Sequence, residues 1–365
     1  MKTPEEVYQI ALTALKGFGP IKSRQLLNKV KNIELIFELP IPELSVLTSI
    51  PQKVLQSMQR NEALLYGRKH YGYHKRNNIE THFITDKSYP RRLRECADAP
   101  LVLFSKGNCN FNFDRVIAVV GTRNATNYGR QICEELIQGI ANKNILVISG
   151  MAYGIDICVH QLCLKYNIPT IGVLGHGLDR LYPSTHKSTA KRMFESGGLL
   201  TEFTPGTNPD RENFPMRNRI VAGMVDATIV IESKISGGSL ITAELANEYN
   251  RDVFAYPGNV GQQFSEGCNN LILKQKAHLL FGSSHFLEWM QWNDDEKKST
   301  VQRQLFTDLS DDEEKIIDLL NQKNEHIDVM ASTLEQPVSK INVLLFQMEM
   351  KGLIQSIPGN RFQKV

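Results

Sequence analysis

The spacing of apolar and polar positions changes character twice along the chain. Over the first 80 or so residues, Leu12, Leu15, Ile21, Leu26 and Leu27 recur at helical spacing, interrupted by Gly17-Phe18-Gly19-Pro20. This predicts short helices joined by tight turns, with a second, weaker turn at Ser49-Ile50-Pro51. From Arg115 the rhythm shifts to continuous apolar runs at 116–120, 145–148, 170–174, 227–231 and 252–256. Runs of this length suit strands covered on both faces of a parallel sheet. Helical stretches at 129–141 and 154–166 lie between them, and the alternation predicts a doubly wound α/β sheet.

Past Trp292 the pattern breaks at a polar segment that reads as a linker over 293–310. Helices are then predicted over 311–321, 327–334 and 338–351, followed by strands at 353–357 and 361–365 around Pro358-Gly359-Asn360. Helix, helix, turn, helix and hairpin is the order of a winged helix. Its third helix carries only Lys340 and Lys351 as cations, opposed by Glu349, which favours packing or partner docking over reading a DNA groove. The domains are therefore expected at 1–80 (helical), 81–292 (α/β), 293–310 (linker) and 311–365 (winged helix).

With 365 residues, 41% hydrophobic and 22% charged, the composition is that of a globular protein of two or three domains. No apolar run reaches the roughly 18 residues of a membrane span, and no signal-peptide pattern opens the chain. The six cysteines are scattered without a C-x-x-C pair, so they read as reduced cytoplasmic thiols. Cys158, His160 and Cys163 fit no common zinc spacing, and no metal or cofactor is expected. The net charge of +3 is uninformative, but 53–94 carries a basic excess and 294–314 leans acidic.

Candidate chemistry gathers in the loops after the predicted strands, where doubly wound sheets bind ligands. Gly121-Thr122-Arg123 runs into a helix whose N-terminal N–H groups and dipole suit an anion. Ser149-Gly150-Met151-Ala152-Tyr153-Gly154 and Ser236-Gly237-Gly238-Ser239 are similar small-residue turns. Phe214, with Arg217-Asn218-Arg219, combines stacking and phosphate-binding groups. The alternative is that Phe214 is core and the arginines pair with Glu202 or Glu232. In Gly175-His176-Gly177 the histidine has no carboxylate–nucleophile partner nearby in sequence and reads as structural or solvent-facing rather than as a general base. No dinucleotide fingerprint or P-loop is present. The Gly17-x-Gly19 turn fits either a helix-hairpin-helix phosphate contact or a plain helical domain.

Together these blocks resemble the DprA/Smf family, the match continuing through Gly177-Leu178-Asp179-Arg180-Leu181-Tyr182-Pro183, Tyr256-Pro257-Gly258 and Ser265-Glu266-Gly267-Cys268-Asn269. The resemblance covers roughly residues 84 to 282. It implies an extended Rossmann-like domain between a SAM/helix-hairpin-helix-like domain and a winged helix. It implies a homodimeric, cytoplasmic, non-enzymatic protein that binds single-stranded DNA, protects incoming DNA in natural transformation and loads RecA recombinase. By position, Arg123, Arg217, Asn218 and Arg219 would hold phosphates and Phe214 would lie against bases. Gly121, Thr122, Ser149, Gly150, Gly237, Gly238 and Ser239 would complete the DNA-binding set. The family often has Gly-Cys-Gly where this chain has Gly175-His176-Gly177. A rival resemblance is to nucleoside-monophosphate phosphoribohydrolases, with Glu244 as the acid; here the loop lacks their Pro-Gly-Gly-x-Gly-Thr pattern.

Overall fold

A computed structural model describes residues 3–292 and 309–364. Most of the expected linker, 293–308, lies outside the described residues. The strands are β1 (Glu80–Phe83), β2 (Val102–Gly107), β3 (Arg115–Val120), β4 (Ile145–Ser149), β5 (Thr170–Val173) and β6 (Gly198–Thr201). They continue with β7 (Ala227–Val230), β8 (Asp252–Ala255), β9 (His278–Leu279), β10 (Glu325–His326), β11 (Ile354–Ile357) and β12 (Arg361–Lys364). The chain divides into two compact units, one of 1–112 with 169–220 and one of 113–168 with 221–365.

The first unit opens with six helices, from Glu5–Leu12 to Arg60–Arg76. Two of them fit together because Gly67 has no side chain: a Cβ there would lie 2.3 Å from the Val7 carbonyl oxygen. The strands of this unit are ordered β1-β2-β6-β5, with β5 parallel to β6 and β1 and β2 antiparallel. β1, β2 and β6 were not apparent in the apolar pattern. β6 reads Gly-Leu-Leu-Thr and β1 Glu-Thr-His-Phe, so neither offers a sustained apolar run.

In the second unit β4-β3-β7-β8-β9 are all parallel; the first four lie close to predicted runs, whereas β9, two residues long, had none. Helices Asn127–Gly139 and Ile155–Lys165 cover them with Ile132, Leu136, Ile137, Ile155 and Val159 in the core. The winged helix (helices Asp311–Gln322, Ile327–Thr333 and Val338–Met350, and sheet β10-β12-β11) has its own core of Ile316, Leu320, Met330, Ile341, Leu345 and Phe362. A capping box between Ser310 and Glu313 starts its first helix. It docks on the strand layer through the buried Arg251 guanidinium, which donates to His326 Nε2 at 2.7 Å and lies 3.5 Å from the Asp328 carboxyl.

The chain leaves β3 for β4 on one side and returns to β7 on the other, so a topological switch point opens between the ends of β3 and β7. Glu232, two residues past β7 and only 2% exposed, fills it. Its carboxyl accepts Thr126 N–H at 3.0 Å and Thr126 Oγ–H at 2.6 Å, while Thr126 Oγ accepts Gly129 N–H at 3.2 Å as the N-cap of helix Asn127–Gly139. A Cβ on Gly129 would lie 2.2 Å from the Glu232 carboxyl oxygen. Gly129→Ala should therefore cost roughly 1–3 kcal/mol by overpacking, seen as a lowered urea midpoint with unchanged slope.

Two histidines of the first unit make folding acid-sensitive. Burial lowers His74, packed 4.5 Å (ring centroids) from Phe104, to about 4, and lowers His82, held between the Ser88 and Ser105 hydroxyls, also to about 4. Both are depressed below the ordinary 6.5, so protons favour the unfolded chain. The stability from the neutral rings is complete above about pH 6.5 and is lost as pH falls towards 4, on the order of 3 kcal/mol each. Denaturant midpoints measured from pH 7.5 down to 4.5 should fall across this window. His74→Phe should flatten the slope, and an unchanged slope would refute the assignment to His74.

Candidate nucleic-acid interface

The second unit brings three of the predicted turns to the carboxyl ends of its strands. Gly121-Thr122-Arg123 follows β3, Ser149-Gly150 ends β4, and Gly237-Gly238-Ser239 follows β7 and opens helix Gly238–Glu248. The first two interlock. Ile155 N–H donates to the Thr122 carbonyl at 3.1 Å, and Thr122 N–H donates to the Glu232 carbonyl at 2.8 Å. Gly154, at φ +80°, leaves no room for a Cβ, which would lie 2.2 Å from the Thr122 carbonyl oxygen. Likewise, a Cβ on Gly121 would meet Ile155 at 2.5 Å. These glycines serve close approach of backbone to protein as well as any approach to a ligand.

Several of the groups predicted as donors are engaged within the protein, and others are exposed. The N-terminus of helix Asn127–Gly139, expected to receive an anion, is capped by Thr126 and faced by the Glu232 carboxyl. Ser149 Oγ is buried and donates to the Val119 carbonyl at 2.7 Å. Ser239 Oγ donates to Ser233 Oγ at 2.8 Å. Arg123 and Gly238 lie exposed, and no atom comes within 4 Å of a Cβ built on Gly238. Two exposed aromatics that the sequence reading passed over, Tyr128 and Tyr153, stand beside the same turns. Tyr128 is held by its hydroxyl, which donates to the Pro257 carbonyl at 2.5 Å. The available signal was a tyrosine directly before a glycine in each turn, Tyr128-Gly129 and Tyr153-Gly154.

The remaining predicted residues belong to helix Asn213–Gly223, at its start in the first unit. Phe214 is half-buried, its ring 3.3 Å from where a Cβ on Gly175 would sit. Arg217 is buried and donates to the Val173 carbonyl at the end of β5, at 2.7 Å. Arg219 (12% exposed) forms an ion pair with Glu202 (11% exposed) and donates to the Asp98 carbonyl. Burial raises the Glu202 carboxyl above its usual range, opposed by the Arg219 charge. The pairing with Glu202 raised at the sequence level is thus present for Arg219, whereas Glu232 is engaged by Thr126. Asn218 is half-buried on the same helix.

His176 is a structural residue. Burial lowers its pKa, its Nδ1 lies 2.9 Å from the Gly177 carbonyl, and Nε2 accepts Tyr182 N–H at 3.2 Å, which assigns the proton to Nδ1. Glu244, the acid of the rival hydrolase reading, is exposed on helix Gly238–Glu248 and paired with Lys276 at 3.0 Å. In the winged helix, Lys340 and Lys351 pair with Asp312 and Glu313 at 2.8 and 2.6 Å. The third helix instead turns Val343, Phe346 and Met350 outward.

The sequence profile of DNA recombination-mediator protein A matches residues 80–291, and that of the DprA winged helix domain matches 303–360. Protein Smf of Synechocystis sp. is 28% identical, with both chains covered over their full lengths. The X-ray structure of DNA processing protein A (DprA) from Streptococcus pneumoniae superposes with a TM-score of 0.67 at 33% identity, covering 79% of this chain and 98% of that one. That of DNA processing protein A from Helicobacter pylori, solved for its single-stranded DNA binding mode, gives 0.53 at 26% identity, covering 57% and 94%. With more than half of its length matched by the profile, the chain belongs to the DNA recombination-mediator protein A family, the DprA/Smf proteins.

Proposed function

We propose that this protein binds single-stranded DNA through its strand-end turns, protects incoming DNA and passes it to a RecA-type recombinase in transformation and recombination. The observation that carries the reading is its likeness to the H. pylori protein, which binds single-stranded DNA. The exposed turns fit that role. Arg123 supplies a planar phosphate-binding fork, Gly238 admits a close backbone, and Tyr128 and Tyr153 offer exposed ring faces that stack without base preference. Phe214, half-buried on helix Asn213–Gly223 of the first unit, is a further stacking candidate. Thr122, Gly121, Gly150 and Gly237 shape those turns; Asn218 is half-buried, and Arg217, bonded to the Val173 carbonyl, braces helix Asn213–Gly223. Arg219 and Ser149 act by holding the scaffold, since each is engaged within the protein.

The protein acts without catalysis in this reading, as a cytoplasmic homodimer. Carboxyls beside the candidate loops are engaged within the protein, Glu232 by Thr126 and Asp156 by Ala152 N–H, as Glu202 is by Arg219, and Glu244 lies on the surface beside Lys276. A dimer contact is supported by Leu273, Phe281 and Trp289, large apolar side chains exposed around the edge strand β9.

Fluorescence anisotropy with labelled oligo-thymidine at several salt concentrations tests the binding. Affinity should fall steeply with salt, and Arg123→Ala should weaken it while reducing the salt slope by about one. Arg219→Ala should instead destabilise the fold by roughly 3–5 kcal/mol, because it strands a buried carboxyl. Salt-insensitive binding, or full affinity in Arg123→Ala, would count against the assignment. Release of free base from a nucleoside monophosphate, abolished by Glu244→Gln, would replace it with hydrolysis.

A further inference from the structure

Helices Asn127–Gly139 and Ile155–Lys165, which begin at the two interlocked turns, also bring two cysteines together. Cys133 is fully buried (0% exposed) among Ile132, Leu136 and Val159, and Cys158 packs half-buried against the same cluster. Their thiols lie within hydrogen-bonding reach of one another. Arg130, three residues before Cys133 and exposed, adds its positive charge to the Cys158 sulfur, against Glu134. We propose that Cys133 and Cys158 are a peroxide-responsive dithiol pair that closes to an intramolecular disulfide between these helices.

The two sulfurs play different parts. The hydrogen bond from Cys133 stabilises the Cys158 thiolate, lowering its pKa to about 7, while that same bond and burial push Cys133 well up. Cys158 is half-buried whereas Cys133 is closed off from solvent, so Cys158 is the sulfur of the pair that a peroxide can reach. Its thiolate attacks one oxygen of a hydroperoxide, the O–O bond breaks, and the departing hydroxide takes a proton to leave as water. Cys158 is thereby oxidised by two electrons to a sulfenic acid and the peroxide is reduced. The Cys133 sulfur then attacks the Cys158 sulfur, the S–O bond breaks, and the hydroxyl leaves with the Cys133 proton as a second water. Two thiols and one hydrogen peroxide give one disulfide and two waters.

The bond requires the sulfurs to approach to about 2.05 Å, drawing the two helices together. At their N-terminal ends Gly154 already abuts the Thr122 carbonyl, so closure is transmitted to turns with no slack between them.

The full-length protein is treated with near-stoichiometric hydrogen peroxide and its free thiols are tagged with maleimide after denaturation, then counted by mass. Two of the six thiols should disappear, return with dithiothreitol, and appear in a cross-linked peptide pair holding Cys133 and Cys158. Cys158→Ser should abolish the loss. Cys133→Ala should leave a sulfenic acid at Cys158 that dimedone traps. Iodoacetamide labelling of Cys158 should rise with pH around 7 in the wild type, and at higher pH in Cys133→Ala. Six thiols surviving peroxide, a link to any other cysteine, or loss that persists in Cys158→Ser would overturn the proposal.

Discussion

The arrangement around the switch point rests on one buried carboxyl. Glu232 lies past the end of β7, at the position where a doubly wound sheet would ordinarily receive an anionic ligand. Instead it accepts the Thr126 amide and hydroxyl, while the same threonine caps the first helix through Gly129. A negative group held near the first turn of a helix is favoured by the dipole, so the protein satisfies that helix end internally. The consequence reaches the next turn, because Thr122 bonds the Glu232 backbone and Ile155 bonds Thr122. Two strand-end turns are thus held as one piece, with Arg123 left exposed between them in sequence.

This internal satisfaction changes what kind of ligand the fold suits. A nucleotide-binding Rossmann site offers a bare helix N-terminus to a pyrophosphate and needs glycines so that the ligand can come near. Here Gly121, Gly129 and Gly154 admit protein atoms. The exposed groups beside these turns are peripheral: the Arg123 guanidinium and ring faces at Tyr128 and Tyr153. Such groups suit a polymer laid across a surface better than a small molecule enclosed in a pocket, because phosphate contacts and stacking repeat along a strand and need no single closed cavity. The arginines of helix Asn213–Gly223 follow the same division of labour: Arg217 and Arg219 are engaged with the Val173 carbonyl and with Glu202.

The winged helix shows a comparable reassignment. Its third helix has the place of a groove-reading helix, yet both of its lysines are held by the acidic first turn of helix Asp311–Gln322. The outward face is Val343, Phe346 and Met350, which has no means of reading phosphates. The domain is in turn secured to the α/β layer by Arg251, His326 and Asp328, and by Gly359 N–H donating to the Asp252 carboxyl.

Much of this was legible in the chain. Five buried parallel strands, the two intervening helices and the winged-helix order follow from apolar periodicity alone, because a strand covered on both faces must be apolar at every position. The turn sequences were legible for a related reason, since only glycine and small residues tolerate such close approach. Strands such as β1 and β6 were not legible, since Glu-Thr-His-Phe and Gly-Leu-Leu-Thr carry no continuous apolar run and their place is set by pairing with β2. Nor could spacing say which polar groups were already engaged. Thr126 and Glu232 are 106 residues apart, and although Glu202 was one of two partners that suited the arginines, only the fold pairs it with Arg219 and gives Arg217 to the Val173 carbonyl. Sequence by itself determined the elements and the family, because local propensity and burial are written residue by residue. Tertiary structure alone decided which donors remain for a ligand, because hydrogen-bond satisfaction depends on partners that only the fold brings within 3 Å.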